Sequence, residues 1–152
     1  MLHSTDRILT THVGSLPRNE RLSSLLIDQE AGRTIDKATL QRETEAATAH
    51  VIAAQVKAGV DIGNDGEQSR VAFQTYVPRC LCGFGGESKR PPSRDQIDFP
   101  SWVQQTATRF QQSARMMNPP AAVSEVAYVD GAPIREDAAR SRSSAPVFAR
   151  HS

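Results

Sequence analysis

The sequence predicts an α/β fold in which short strands alternate with helices. Two β-branched segments, 8–13 and 60–62, each run into a polar turn that contains glycine, which is the pattern of a buried strand followed by a loop. A long helical pattern lies between them, and further helical stripes follow the second segment. Strands that alternate with helices are typical of βαβ units and of a parallel sheet.

The first two predicted helices have recognisable boundaries. The stretch 19–30 carries leucines at spacings of three and four and stops near Gly32, which indicates a short amphipathic helix. Asp36 is the expected N-cap of a long helix rich in good helix formers. Gly59 follows that helix at the C′ position, where a positive φ is expected.

The next two helical stripes are less regular. The stripe over 69–81 contains Pro78, which costs about 3 kcal/mol inside a helix, so we expect a kink or an end there. Ser101 is the expected N-cap of the following helix. Trp102 and Phe110 lie on its apolar stripe and are expected in the core.

The third predicted strand is the segment 122–129, and Pro133 fits the first turn of a helix after it. Residues 1–140 are thus expected to form one domain. Residues 141–152 are rich in Arg, Ser and Ala with little periodicity, and we expect an unstructured tail. Three strands with crossovers do not close a barrel, so the sequence predicts either a small three-stranded α/β domain or the front part of a longer one.

Composition excludes several functional classes. A chain of 152 residues is long enough for one ordinary domain. The net charge of +1 gives no basis for binding nucleic acid or an acidic membrane surface. No apolar run could cross a bilayer, and the first residues lack the apolar segment of a secretory signal. The two cysteines offer no disulfide framework, so we expect a cytoplasmic protein.

Glu67 is the first candidate site residue because it lies in the turn after the second strand. Loops at the carboxyl ends of strands bind ligands in α/β proteins; the alternative is a solvated turn carboxylate. Ser15 lies in the equivalent turn after the first strand. It lacks the context of a nucleophilic serine, so we expect its hydroxyl and the turn's backbone to bind a ligand. His12 either orients a substrate or is a structural histidine.

No metal site and no phosphate loop are predicted from the residues. The histidines and cysteines show no C-x₂-C or H-x₃-H spacing. Cys80 and Cys82 would lie about 200° apart on a helix, so we expect two ordinary thiols and assign them no role. The glycines at 83–86 are not followed by Lys-Ser or Lys-Thr, as a phosphate-binding loop requires.

Two dense motifs nevertheless carry a resemblance to a known family. The first is ILTTHVGSLPR at residues 8–18, and the second is AGVDIGNDGEQSR at 58–70. GFGGE at 83–87 and weaker similarity over 126–137 follow in the same order. Together these segments resemble the N-terminal portion of the catalytic barrel of the cobalamin-independent methionine synthase family, over about residues 5–140.

The resemblance implies a TIM (β/α)₈ barrel and a zinc-dependent methyltransferase of methionine biosynthesis. Such an enzyme passes a methyl group from methylated folate, its co-substrate, to the thiol of homocysteine. Val13, Gly14 and Ser15, with His12 beside them, would hold the amino-acid end of homocysteine, and Glu67 would pair with its ammonium group. Zinc would bind the thiol and lower its pKa, which makes the thiolate the nucleophile.

The resemblance covers only a partial barrel, about the first three of eight βα units. Nothing after Asp137 resembles the later strands that supply the family's zinc ligands, so no catalytic residue and no metal ligand is predicted. We expect the chain alone to be inactive as a methyltransferase and to self-associate through an exposed strand edge. Two alternatives stay open: a related zinc-dependent thiol alkyltransferase of the same superfamily, or a non-catalytic small-ligand or interaction fragment.

Overall fold

The computed structural model describes residues 4–86, 91–109 and 120–144, without the side chains of 106–109 and 144. Within these ranges the chain forms six helices and two very short strands. The helices are α1 (Glu20–Glu30), α2 (Lys37–Lys57), α3 (Phe73–Cys80), α4 (Arg94–Asp98), α5 (Pro100–Arg109) and α6 (Ala132–Ser144), and the strands are β1 (Phe84–Gly85) and β2 (Ala121–Ala122). No helix in the described ranges is long and apolar enough to cross a membrane.

Helices α1 and α2 begin and end where the sequence predicts. The side chain of Asn19 accepts the N–H of Leu22 at 2.7 Å. The side chain of Asp36 accepts the N–H of Ala38 at 3.1 Å. Each cap satisfies a donor that has no partner inside its helix. After α2, Gly59 has a φ of 76°, the left-handed conformation that ends helices at C′.

The core lies between α1 and α2. Leu22 is fully buried and Leu26 is 2% exposed, and both pack against Ala47 of α2. Val51 and Ile52 continue the buried face of α2 toward the second turn. Because each large aliphatic side chain contributes about 1.5–3 kcal/mol when fully buried, this helix pair supplies the main hydrophobic stabilisation of the described residues.

The first two predicted strands are adjacent and parallel, but they share a single bridge. Thr11 pairs with Ile62, and the N–H of Ile62 donates to the carbonyl of Thr10 at 3.0 Å. The Asp61 carboxylate accepts the N–H of Thr10 at 2.8 Å and also pairs with Arg7. The Asp61 side chain therefore accepts a backbone N–H that would bond to a neighbouring carbonyl in a longer pair of strands.

The third predicted strand does not join this parallel pair in the described part of the chain. Only its first residue, Ala122, lies in β2, which runs antiparallel to β1, with Phe84 opposite Ala122. Leu81 and Tyr128 form a second antiparallel bridge. The expectation of three consecutive parallel strands is therefore wrong for the described residues. One parallel contact is present, and a partial TIM barrel is not shown.

Gly83 explains how the antiparallel pair forms so close to α3. It has a φ of 87°, and a Cβ at this position would lie 2.4 Å from the carbonyl oxygen of Glu125. Only glycine permits this conformation and this approach. The segment after α3 thus turns directly onto the segment 122–129, which is the nearest partner for its backbone groups.

The later elements differ from the sequence predictions in three places. Ser101, the expected N-cap, lies inside α5, which begins at Pro100. Trp102 is 51% exposed in α5, so its predicted place in the core is wrong; Phe110 lies outside the described residues. Pro133 lies in the first turn of α6, as predicted, but α6 continues to Ser144. Residues 141–144 of the predicted tail are therefore helical, and the prediction for 145–152 stays a prediction.

Candidate functional site

The two turns singled out in the sequence lie side by side. The N–H of Leu16 donates to the carbonyl of Gly66 at 2.9 Å, and the side-chain amide of Asn64 donates to the carbonyl of His12. Gln68 is fully buried, and its amide donates to the carbonyls of Leu16 at 3.0 Å and Gly66 at 3.1 Å. Backbone groups of both turns are thus joined without a strand ladder, which fixes the turns relative to one another.

Gln55 attaches the second turn to α2. Its buried side chain donates to the carbonyl of Asn64 at 2.8 Å and accepts the N–H of Asn64 at 3.1 Å. The Asn64 side chain in turn accepts the N–H of Gly66 at 2.8 Å, which closes an Asx turn. The turn that carries Glu67 is therefore held by α2, which contributes Val51, Ile52 and other residues to the buried interior.

The hydroxyl of Ser15 donates to Oε2 of Glu67 at 2.6 Å, across 52 residues of sequence. Glu67 has a φ of 57° and is the only non-glycine residue with positive φ in the described ranges. Its N–H donates to Oδ1 of Asp65 at 3.0 Å. A left-handed residue with a Cβ costs roughly 1 kcal/mol, so the turn holds a strained backbone that directs the carboxylate toward Ser15.

Glu67 is held as a carboxylate. The Ser15 hydrogen bond and then Arg70, whose Nη2 lies 3.3 Å from Oε1, hold the pKa of Glu67 below its usual value, although partial burial acts in the opposite direction. Arg18 donates to the carbonyls of Glu67 at 2.9 Å and Arg70 at 2.6 Å. An ionised group at neutral pH is suited to bind a cation and is a poor proton donor.

The first turn presents exposed backbone next to Glu67. Val13 is 86% exposed, and Gly14 has a φ of 97° with open space where a Cβ would stand. Nε2 of His12 lies 3.0 Å from the carbonyl oxygen of Gly14, so the imidazole is hydrogen-bonded inside the turn. The five residues predicted as a binding site thus form one contiguous surface: His12, Val13, Gly14, Ser15 and Glu67.

Behind Glu67 lies a charged group of side chains, formed by Arg70, Tyr76, Asp137 and Arg140, to which the sequence analysis assigned no role. Nη1 of Arg70 is 3.8 Å from Oδ2 of Asp137 on α6. The same Oδ2 accepts the hydroxyl of Tyr76 at 3.0 Å, and Oδ1 accepts Nη1 of Arg140 at 2.7 Å. Arg70 and Asp137 lie in segments that carry the family resemblance. The resemblance could therefore have singled out these residues, but it did not reveal that they contact one another.

A cavity of about 670 Å³ lies on the far side of this charged group. It is lined mainly by residues of α1, α2, α3 and α6, among them Tyr76, Asp137 and Arg140. Neither Ser15 nor Glu67 lines it. The candidate site is therefore an open turn surface, distinct from this interhelical cavity.

Residues that would fit a zinc ion are not found in the described ranges. No three His, Cys, Asp or Glu side chains in those ranges lie close enough to hold a metal ion. Cys80 is buried whereas Cys82 is exposed, so the two thiols are not presented together. The zinc that the resemblance implies therefore does not fit the residues described here.

Comparison with known proteins singles out the same part of the chain. A family model described as the catalytic domain of cobalamin-independent synthase matches residues 8–91, which include both turns and Arg70. Searches of curated proteins and of solved structures gave no significant match. Because the matched stretch covers more than half of the 152 residues, the chain belongs to the cobalamin-independent synthase catalytic-domain family.

Proposed function

We propose that the two turns form the amino-acid-binding half of a methionine-synthase-like site. The ligand would be homocysteine or a similar thiol amino acid, and the reaction would be methyl transfer from methylated folate to its thiol. The observation that carries the proposal is the 2.6 Å hydrogen bond between Ser15 and Glu67. It places a carboxylate and an exposed glycine turn on one surface.

The charges of this surface suit a zwitterion. An ionised Glu67 offers a charge-assisted hydrogen bond to an ammonium group. The exposed backbone of Val13, Gly14 and Ser15 offers N–H donors for the carboxylate of the same ligand. The Ser15 hydroxyl donates its hydrogen to Glu67 and keeps lone pairs that can accept from the ammonium group. The ammonium group would approach Glu67 from the exposed face, opposite Arg70. The two ends of an amino acid are thus recognised by two turns that the fold holds together.

Recognition of the amino acid is only one part of methyl transfer. The described residues supply recognition of the amino-acid end and no group that activates a thiol. We therefore propose a half-site that depends on further barrel elements for methyl transfer, and we expect no turnover by the 152-residue chain. A methyl-transfer assay with zinc, homocysteine and a methylated folate checks this, and measurable turnover would contradict it.

Binding is the direct test. Isothermal titration of homocysteine and of methionine into the full chain should show saturable binding, and Glu67→Gln should weaken it by roughly tenfold or more because a charge-assisted contact is lost. N-acetylmethionine, which has no ammonium group, should bind the wild-type protein no better than the variant. Glu136→Gln, which removes a carboxylate from exposed α6, is the matched control. Equal affinities of the wild type and Glu67→Gln would refute the proposal.

A non-catalytic small-ligand module is the second candidate, favoured because recognition groups are present without a fitting metal group in the described ranges. It shares the binding surface but predicts binding of amino acids that lack a thiol. Comparing homocysteine, methionine and norleucine separates the candidates. Equal affinity for all three favours the module, whereas preference for sulfur-containing ligands favours the synthase-like site or a related thiol alkyltransferase.

A further inference from the structure

Arg70 is divided between two carboxylates. Its Nη2 lies 3.3 Å from Oε1 of Glu67, and its Nη1 lies 3.8 Å from Oδ2 of Asp137. Direct bonds between a guanidinium and a carboxylate are shorter, at about 2.7–2.9 Å. Both ion pairs are therefore stretched, and Arg70 is fully committed to neither partner.

Asp137 is itself held firmly. Tyr76 donates to one oxygen at 3.0 Å and Arg140 to the other at 2.7 Å. Burial and then the neighbouring Asp137 raise the pKa of Tyr76, so its hydroxyl keeps the proton that it donates. The side chain of Asp137 is only 15% exposed, which strengthens its attraction for Arg70 relative to a surface pair.

Contacts with Tyr76 restrict how far the Arg70 guanidinium can move. The guanidinium lies over the Tyr76 ring, with 4.9 Å between its carbon and the ring centroid. Its Nε is buried and has no hydrogen-bond partner among the described residues. The guanidinium thus stacks on Tyr76 and is attracted by two carboxylates, Asp137 and Glu67. A shift away from Asp137 would therefore bring it closer to Glu67.

We propose that Asp137 is a positioning residue that draws Arg70 away from Glu67 and so leaves the Glu67 carboxylate available to an ammonium group. Asp137 touches no part of the binding surface and acts through Arg70 alone. It lies on α6, beyond the matched residues 8–91. The consequence for ligand binding rests on the proposed function, whereas the effect on Arg70 and Glu67 does not.

The charged groups that act on Glu67 are Arg70 and Arg18, and the groups in contact with Asp137 are Arg70, Tyr76 and Arg140. When the Asp137 charge is removed, Arg70 should close onto Glu67 and pair with it more tightly. An incoming ammonium group then competes with a better-placed guanidinium, so binding weakens although Glu67 is unchanged.

The test is a double-mutant cycle of Asp137→Asn and Arg70→Gln in the full chain, with Glu136→Gln as the control on the same helix. The first measurement is the pKa of the Glu67 carboxyl by NMR of ¹³C-glutamate-labelled protein, which needs no ligand. We expect Asp137→Asn to lower this pKa when Arg70 is present and to change it far less in Arg70→Gln, because only the first background has a guanidinium that can move.

The second measurement is methionine affinity in the same four proteins. Asp137→Asn should weaken binding by roughly threefold or more in the wild-type background and leave it unchanged in Arg70→Gln. A purely structural role for Asp137 predicts the same loss in both backgrounds, and that result would overturn the proposal. So would a rise in the Glu67 pKa in Asp137→Asn. If the wild type binds no amino acid, the proposed function fails, and the Glu67 pKa still decides the role of Asp137.

Discussion

Residues 4–86 and the described residues after them are packed very differently. Every hydrophobic residue of the buried core lies between Leu22 and Cys80, and no residue of described burial beyond position 90 is buried. Of the exposed large hydrophobic residues, most belong to the later part: Ile97, Phe99, Trp102, Val123, Val126, Tyr128, Val129 and Ile134. The family match ends at residue 91, close to the same boundary.

The earlier region, residues 4–86, therefore contains both the buried core and nearly all of the described residues that match the family. The earlier region buries its own helix pair and holds the candidate site through backbone and amide hydrogen bonds. The later region, residues 91–109 and 120–144, is attached through α6, which packs against α2 and α3 and carries Asp137, and through β2, which pairs with β1 of the earlier region. We infer that the earlier region carries the stability of the chain, and the later region chiefly modifies the site.

The largest expected effect comes from the core of the earlier region. Leu22→Ala removes a fully buried side chain and should lower the free energy of unfolding by about 3 kcal/mol. Ile97→Ala, at a position 62% exposed in the later region, should change it by about 0.5 kcal/mol or less. Urea unfolding followed by circular dichroism measures both. Comparable losses would show that the later region has a core of its own.

The same contrast explains what the sequence could predict. Helices α1 and α2 follow from local signals, namely the apolar spacing of α1, the cap at Asp36 and Gly59, so their bounds were predicted well. The turns of Ser15 and Glu67 were also recognised, because glycine and polar residues directly follow β-branched segments. These features depend on residues close together in the chain.

The wrong predictions concern contacts between distant residues. The segment 122–129 has the composition of a strand, but composition does not tell which backbone segment it pairs with. The close approach at Gly83 brings it antiparallel to the segment after α3. Trp102 lies on an apolar stripe, yet a stripe is buried only if another element covers it. The link from Arg70 to Asp137 likewise requires α6 to pack beside α3, which spacing alone does not reveal.

A second prediction concerns the open edge of the earlier region. We propose that copies of the chain associate through the segments 8–13 and 60–62, because Ile8 is 87% exposed beside a pair joined by a single bridge. A net charge of +1 gives little repulsion between copies. Ile8→Lys should raise the dissociation constant of the self-associated form roughly tenfold, since an edge lysine opposes strand pairing.

Sedimentation velocity over a range of protein concentrations measures this association. Ile97→Lys adds the same charge to the later region and is the matched control, with no change expected. If Ile97→Lys were the variant that dissociates the protein, the associating surface would lie in the later region. A monomer at every concentration would contradict association altogether.

The smallest expected effect is the pH dependence of the strand contact. Arg7 and the Thr10 N–H, which bond the Asp61 carboxylate, hold its pKa well below the usual value. A group with a lowered pKa in the folded state stabilises the protein above its unfolded pKa, about 3.9, and this contribution is lost as the pH falls further. Wild-type stability should therefore decline below about pH 4, and Asp61→Asn should be less stable at pH 7 with a shallower decline.

Asp98→Asn provides the comparison in the later region, because Asp98 pairs with Arg94 on the exposed helix α4 at 2.7 Å. Solvent screens such a pair, so this variant should follow the wild type across the whole pH range. Thermal unfolding between pH 3 and pH 7 measures all three proteins. Parallel curves for the wild type and Asp61→Asn would mean that Asp61 does not couple the two strand segments. The bridge between Thr11 and Ile62 would then depend on its backbone bonds and on the joined turns of Ser15 and Glu67.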